Sequence, residues 1–305
     1  MSATTTTHPA VRTGSLPRLA RLAWQEARPS VQVIFLLRFL TGAVLAAAGG
    51  WLVTWSAAAG VACWCCVVAA IYLHNGATDV TEDRGNGSER PVASGRLPAG
   101  TAAAWARGLA VTGVIAGLAA PAPVAALALF MLGLGWAYSS GPRPMKRTVA
   151  GFLVVVITGG GLTYAAGAAA GGGTVTAELV FCGLAMSLWM GIAGSTKDLS
   201  DVCGDRQAGR RTLPVLLGPA RCRLVMAASV LSIGAGSVTV SLAWLPRLLP
   251  MAAVLLLGSA LVAVLLTRLP ADGDRRRRRH PYRAFMITQY CAHLVILAEV
   301  TLGRA

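Results

Sequence analysis

The sequence predicts an all-α polytopic membrane protein, with nine transmembrane helices in a bundle. Three observations lead there. Of its 305 residues 55% are hydrophobic and only 13% charged, too apolar for an ordinary soluble domain of this size, and the mean hydropathy is +0.62. Uncharged runs such as Gly42 to Cys66, Leu109 to Tyr138 and Leu248 to Thr267 supply or exceed the roughly 20 residues that a bilayer core requires. Basic residues crowd into every second connection between those runs. Nothing suggests the alternation of a β-barrel.

Taken in order, the runs divide at charges, prolines and glycine clusters into spans near 31–54, 57–79, 101–119, 122–140, 148–168, 175–200, 222–243, 248–267 and 283–302. Residues 1–30 are then an N-terminal tail, 31–302 one transmembrane domain and 303–305 a short C-terminal tail. The N-terminal tail does not look like a signal peptide, because it is rich in Thr and Arg and has no short apolar segment with a cleavage site. Within it, Leu16 to Trp24, carrying Arg18 and Arg21, is expected to lie in the membrane interface as an amphipathic turn or two. The cysteines, Cys63, Cys65, Cys66, Cys182, Cys203, Cys222 and Cys291, are odd in number and fall mostly inside spans. They are expected to be small apolar packing residues.

A net charge of +15 raises the question of nucleic acid, so the placement of the basic residues matters more than their total. Arg12, Arg18, Arg21 and Arg28 precede span one. Arg84, Arg90 and Arg96 follow span two, and Arg143, Lys146 and Arg147 follow span four. Arg206, Arg210, Arg211 and Arg221 follow span six, and Arg275 to Arg279 follow span eight. Alternate connections are nearly empty, Arg247 being the exception. Basic residues are retained on the cytoplasmic side during insertion, so the pattern predicts the cytoplasmic membrane, a cytoplasmic N-terminus and an external C-terminus. The Arg275 to Arg279 run is expected to be a topology anchor against anionic headgroups. No aromatic platform or recognition module accompanies it, which excludes nucleic-acid binding.

Twelve residues are acidic, and seven of them fall in two short stretches: Asp79, Glu82, Asp83 and Glu89, then Asp198, Asp201 and Asp205. Asn75, Asp79 and Asp83 are spaced i, i+4, i+8 and share one face of a continuing helix; Asp198, Asp201 and Asp205, spaced i, i+3, i+7, do the same. Both clusters stand where an apolar span runs out into a cytoplasmic loop, and their carboxylates cannot comfortably face lipid. Crowded carboxylates repel unless cations compensate. Magnesium suits them, because it takes oxygen ligands and is commonly held by one or two carboxylates plus substrate phosphates. Two such clusters face to face would hold a diphosphate through bridging ions at a site open to the cytoplasm.

The stretch Asn75-Gly-Ala-Thr-Asp79-Val-Thr-Glu-Asp83 resembles the NxxxDxxxD first motif of the UbiA superfamily of intramembrane prenyltransferases. The segment KDLSDVCGDRQAGRRTLPVLLG, Lys197 to Gly218, is similar to that superfamily's second motif, with Asp201 and Asp205 forming DxxxD and Asp198 one turn earlier. The ending Gly209 to Pro214 and the loop YSSGPRPMKR, Tyr138 to Arg147, are similar too. The resemblance, over roughly residues 30 to 302, implies nine helices around a cavity and magnesium-dependent transfer of a prenyl group from its isoprenyl diphosphate. It also implies that Asn75, Asp79, Asp83, Asp198, Asp201 and Asp205 hold Mg2+, with Asp79, Asp83, Asp201 and Asp205 the catalytic carboxylates.

Breaking the carbon to oxygen bond of an allylic diphosphate puts charge on the leaving group, which fixed cations stabilise. Lys146, Arg147 and Lys197 are the first candidates for that task, and Arg84 and Arg90 the next. The allylic cation left behind needs a dry apolar pocket, and the tail needs a channel open to membrane lipid. Tyr72, Trp136, Tyr138, Tyr164 and Trp189 are candidates to face the cation or an acceptor ring. His74 is a polar neighbour of Asn75 rather than an established base. Three functions stand in order: transfer to an electron-rich aromatic acceptor, a phenol or hydroxybenzoate; cyclisation of the diphosphate without acceptor; and transport through intramembrane carboxylates.

Overall fold

A computed structural model describes residues 15–47, 54–268 and 274–302, the side chains of 301 and 302 excepted. The first fourteen residues with Arg12, part of the predicted first span beyond residue 47, and the predicted tail 303–305 lie outside them. The described chain is helical: α1 (Leu16–Glu26), α2 (Pro29–Ala46), α3 (Trp55–Thr78), α4 (Val80–Gly85), α5 (Ala99–Leu118), α6 (Ala122–Ser139), α7 (Val149–Ala170), α8 (Ala177–Gly194), α9 (Val202–Gln207), α10 (Leu213–Leu217), α11 (Pro219–Ala243), α12 (Leu249–Arg268), α13 (Arg275–Arg278) and α14 (His280–Leu302). The starts carry ordinary signals. Thr54, Thr148 and Thr176 accept hydrogen bonds from the backbone N–H groups of Ala57, Gly151 and Leu179 at 3.0–3.1 Å. Pro29 and Pro219 occupy first turns, where their missing N–H costs nothing.

Among the described residues eight helices, not nine, are long and apolar enough to cross a membrane, and they match the first eight predicted spans. The segment of the predicted ninth is α14, 23 residues long, packed on α12 and α2. It is less apolar because Arg283, Gln289, His293 and Glu299 interrupt it. Neighbouring helices pack in sequence from α3 through α5, α6, α7, α8, α11 and α12, and α14 closes the ring against α2. Val111, Ile115, Phe130, Leu257 and Leu294 point outward and are exposed, as a lipid-facing surface requires.

Two apolar cores flank the interior. One gathers Trp189, Met186, Met226, Leu255 and Phe285 from α8, α11, α12 and α14; the other gathers Phe35, Phe39, Trp64, Val67 and Met131 from α2, α3 and α6. A third core docks α1, whose Leu22 and Ala23 pack with Leu73, Leu97 and Ala102. The predicted interfacial turn is thus a helix of 11 residues seated on the bundle. Cys63, Cys182 and Cys222 are buried as expected, whereas Cys65, Cys203 and Cys291 are exposed.

The crossing of α2 and α7 depends on glycine. A Cβ at Gly167 would collide with the backbone carbonyl of Phe39, and one at Gly42 with that of Tyr164. Small residues let membrane helices approach this closely. Gly167→Leu is expected to cost about 1–3 kcal/mol by overpacking and to lower the melting temperature of the detergent-solubilised protein. An unchanged melting temperature would mean that the two backbones are not held together there.

Candidate active site

The two acidic stretches fold in the same way. α3 ends at Thr78, Asp79 stands at the break with φ −94° and ψ 14°, and α4 follows. After α8 a tight 3₁₀ turn covers Ser195–Ser200, Asp201 stands at the break with φ −116° and ψ 11°, and α9 follows. Asp83 N–H donates to Asp79 O at 2.8 Å and Asp205 N–H to Asp201 O at 2.9 Å, so the spacing along one face survives a break that an uninterrupted helix would not have. Each short helix is followed two residues on by a glycine with positive φ, Gly87 at 61° and Gly209 at 70°, a conformation that L side chains rarely adopt. Both aspartates and the glycine of the second stretch lie 122 positions after their counterparts, 79 to 201, 83 to 205 and 87 to 209. This is a local repeat of backbone form with little repeat of sequence. α4 packs against α9, Asn86 Oδ1 accepts from Gly204 N–H at 3.1 Å, and any side chain at Gly204 would strike Asn86.

Each carboxylate has a basic partner. Lys146, buried, is ion-paired with Asp79 and lies 3.7 Å from Glu82. Arg90 bridges Asp83 at 2.9 Å and the fully buried Glu26 of α1 at 2.6 Å. Lys197 lies 3.5 Å from Asp198. Arg210 reaches Asp205 at 3.3 Å and Glu82 at 3.5 Å, joining the second stretch to the first. Arg275 and Arg279 each approach Asp201 at 3.1 Å. Asn75 Nδ2 donates to Asp79 Oδ2 at 2.9 Å and to Ser139 Oγ at 3.1 Å.

Electrostatics follow from that pairing. Burial pushes the Asp205 carboxyl up to about 6, against the pull of Arg210. Burial also works on Asp201, but Arg279 and Lys197 outweigh it and hold that carboxyl below the ordinary range. Oδ2 of Asp205 is buried without a hydrogen-bond partner. A buried carboxylate oxygen without a hydrogen-bond partner fits the role of a cation ligand.

The paired groups roof a cavity of about 470 Å³. Asn75, Asp79, Asp83, Asp198, Asp201 and Asp205 all line it, with Arg90, Lys197, Arg210, Arg275 and Arg279. Below them its wall is apolar, including Val31, Ile34, Phe35, Val68, Ile71, Met131, Val155 and Phe285. Among the described residues no three acidic, His or Cys side chains converge on one point as a closed metal cage. The donors fit an ion that takes one or two carboxylates and completes its shell with water and phosphate, which is the habit of magnesium.

Not every residue expected here arrives. Arg84 is exposed and donates to the carbonyl of Ala93 at 2.9 Å, and Arg147 is exposed, its carbonyl accepting from Arg211 N–H; neither lines the cavity. Lys146 stands behind the wall and acts through Asp79. Of the aromatic candidates Tyr72 and Tyr138 line the cavity, Trp136 faces outward, and Tyr164 and Trp189 are buried behind it. His74 bonds Ser140 Oγ at 2.7 Å and does not line the cavity. Sequence reasoning passed over Arg210, Glu26 and Asn86, and it assigned Arg275 and Arg279 to topology alone. The structure corrects that last assignment, because both arginines reach Asp201. Their spacing of four, one helical turn across α13, was the available signal.

Breaking the Glu26–Arg90 bridge tests whether α1 is part of this architecture. Glu26→Ala leaves Arg90 with Asp83 alone and is expected to cost about 3 kcal/mol, the low end for a buried pair. Faster amide exchange in α1 and in residues 86–97 is the readout, and unchanged exchange in both would show that the bridge holds neither.

A sequence profile of the UbiA prenyltransferase family matches residues 35–288. The chain belongs to the UbiA prenyltransferase family. No curated protein sequence matches it. Among solved structures it is similar to a UbiA homolog from Archaeoglobus fulgidus bound to DMAPP and Mg2+, at 17% identity over 92% of this chain and 99% of that one, with a TM-score of 0.70. The same homolog bound to GPP and Mg2+ aligns at 16% identity over 92% and 99%, TM-score 0.70. A structure described as digeranylgeranylglyceryl phosphate synthase aligns at 16% identity over 92% and 98%, TM-score 0.63. Likeness at this identity concerns the fold, and the UbiA fold is the one described above. As a member of this family the chain is a multi-pass membrane protein of the prenyltransferase class.

Proposed function

We propose that this UbiA-family protein transfers a prenyl group from an isoprenyl diphosphate to an aromatic acceptor, a phenol or hydroxybenzoate, with Mg2+ held by Asn75, Asp79, Asp83, Asp198, Asp201 and Asp205. The observation that carries the reading is one juxtaposition: two Asp-rich breaks of the same form share the roof of a single apolar cavity, each lined with basic side chains. The DMAPP, GPP and Mg2+ bound by the Archaeoglobus homolog support the donor class and the metal.

Bound magnesium would offset the charge that develops on the diphosphate as its bond to carbon breaks. The protein's own part is positional. Lys197, Arg90 and Arg210 present fixed cations to the diphosphate oxygens, and Lys146 holds Asp79 in its orientation from behind. The wall formed by Ile34, Ile71, Val155 and Phe285 keeps water from the allylic cation, while Tyr72 and Tyr138 offer ring faces to it. The roof lies at the bundle end that carries the basic connections. That end is assigned to the cytoplasm and the membrane to the cell's cytoplasmic membrane, with 31–302 as the catalytic domain.

Product analysis by mass spectrometry tests the reading. Purified protein is given Mg2+, a panel of prenyl diphosphates, and phenols or aromatic acids. Acceptor-plus-prenyl masses that vanish with EDTA are expected. Cyclic hydrocarbons or alcohols formed without acceptor would replace transfer by cyclisation, and intact diphosphate throughout would remove both.

A further inference from the structure

A second cavity, of about 170 Å³, lies behind the second motif. α7 and α11 both pack against α8, and the cavity is a crevice lined from all three, with Leu153, Ile192 and Val225 among its apolar walls. Val225 is 46% exposed on the outer side of α11, beside the exposed Leu224, so the crevice meets the lipid-facing surface. Phe152, Asp198 and Arg210 line both this cavity and the larger one and form the wall between them.

Most polar groups along the crevice are already engaged. Lys146 pairs with Asp79 and Asp198 with Lys197, Thr148 Oγ1 accepts from Gly151 N–H, and Ser195 Oγ donates to the carbonyl of Ile192 at 2.6 Å. Two groups are not. Thr212, 6% exposed, stands where α10 begins, yet its hydroxyl makes no bond to the backbone of that helix and has no other partner among the described residues. Arg210 gives Nη1 to Asp205 and Glu82 and Nη2 to the carbonyl of Lys146 at 3.4 Å, while its Nε–H has no partner. Buried donors without an acceptor are destabilising, so two on one cavity wall call for an acceptor oxygen. That oxygen needs no charge, because Arg210 and Lys146 already have carboxylates.

We propose that this crevice binds one glycerolipid from the membrane, with an ester carbonyl oxygen accepting from the Thr212 O–H and the Arg210 Nε–H. A carbonyl oxygen has two lone pairs and can serve both donors. The first carbons of the chain lie between Leu153, Ile192 and Val225. At about 30 Å³ for a group the size of a water molecule, the volume admits the ester and a few carbons, and the rest of the chain runs along the outer faces of α7 and α11. Water could satisfy the two donors, but the apolar walls would offer it few further bonds. The site recognises the ester and not the headgroup, and it does not depend on the prenyl-transfer reading. Its occupant packs against the back of Phe152, Asp198 and Arg210.

Native mass spectrometry of the delipidated full-length protein in detergent tests it, by titration with dioctanoyl phosphatidylcholine, its di-O-octyl ether analogue and dioctanoyl phosphatidylglycerol. Wild type is expected to hold one ester lipid about tenfold more tightly than the ether, the worth of about one hydrogen bond. The two ester lipids are expected to bind alike, whatever their headgroup charge. Thr212→Val is expected to abolish the ester preference while melting at or above the wild-type temperature, because the hydroxyl has no partner inside the protein to lose. Val225→Trp, at the outward-facing mouth, is expected to weaken the ester and ether lipids together by filling the crevice. Equal binding of ester and ether by wild type, an ester preference that survives Thr212→Val, or lipid binding untouched by Val225→Trp would overturn the assignment. A strong preference for phosphatidylglycerol would overturn it too, by placing the bound lipid at the basic connections instead.

Discussion

Asp79→Ala and Asp201→Ala are each expected to lower the rate of product formation about a thousandfold or more, which corresponds to about 4 kcal/mol of transition-state stabilisation. The size follows from where the two residues stand. Each is the hinge between a membrane helix and the short helix that carries the next carboxylate of its motif, so its oxygens face the cavity roof while its backbone fixes Asp83 or Asp205. Removing either carboxylate takes away a proposed ligand for the metal and strands a base. Lys146 would keep only Glu82 at 3.7 Å, and Arg275 with Arg279 would lose their shared partner. Losing one preorganised charge contact in a water-excluded site commonly costs a hundredfold to a thousandfold, and loss of a metal ligand adds to it. Glu89, an exposed acid off the cavity, provides the comparison, and Glu89→Ala should stay within about twofold of wild type. Rates within tenfold of wild type for both aspartate variants, with helix content intact, would mean that the two breaks do not carry the chemistry.

Local spacing was legible in the sequence wherever it was local physics. Apolar runs of bilayer length gave eight helices their places, and carboxylates at intervals of three and four gave a shared face that persists through the breaks at Asp79 and Asp201. What could not be read was anything set by partners distant in the chain. Arg210 belongs to the site because α9 folds back onto α4, a contact spanning more than a hundred residues. Glu26 is on a helix outside the bundle's spans, and only docking of α1 shows that it balances Arg90. Arg84 and Arg147 carry the right charge in the right loops, yet both side chains are exposed and neither lines the cavity. The ninth segment, α14, falls short of the apolarity of the other eight because polar side chains such as Gln289 and His293 are buried in the bundle, where hydropathy alone counts against them. Composition measures how greasy a segment is, whereas burial inside a bundle depends on which face is turned inward.

Arg279→Ala is expected to lower kcat/KM for the diphosphate about a hundredfold, whereas Arg276→Ala and Arg277→Ala stay within about twofold. All these arginines lie in one run that the positive-inside rule explains equally well residue by residue. Geometry separates them. Arg276 and Arg277 are exposed, whereas Arg279 donates through Nη2 to Asp201 and through Nε to Ser200 Oγ at 3.1 Å, and lines the cavity. Arg275, one turn earlier, donates to Asp201 and to the carbonyl of Gly87 at 3.1 Å, clasping the loop after the first motif. With a diphosphate and metal ions bound, Asp201 would serve as a metal ligand under the proposed reading, and its two arginines would be free to turn to phosphate oxygens. The self-paired roof would then become a ligand-paired one with little net movement of charge. A charge-assisted hydrogen bond of this kind is worth about 1.5–3 kcal/mol, which is the hundredfold expected. If Arg276→Ala and Arg279→Ala fall together, or if neither moves the rate, the run acts only by its total charge at the membrane surface.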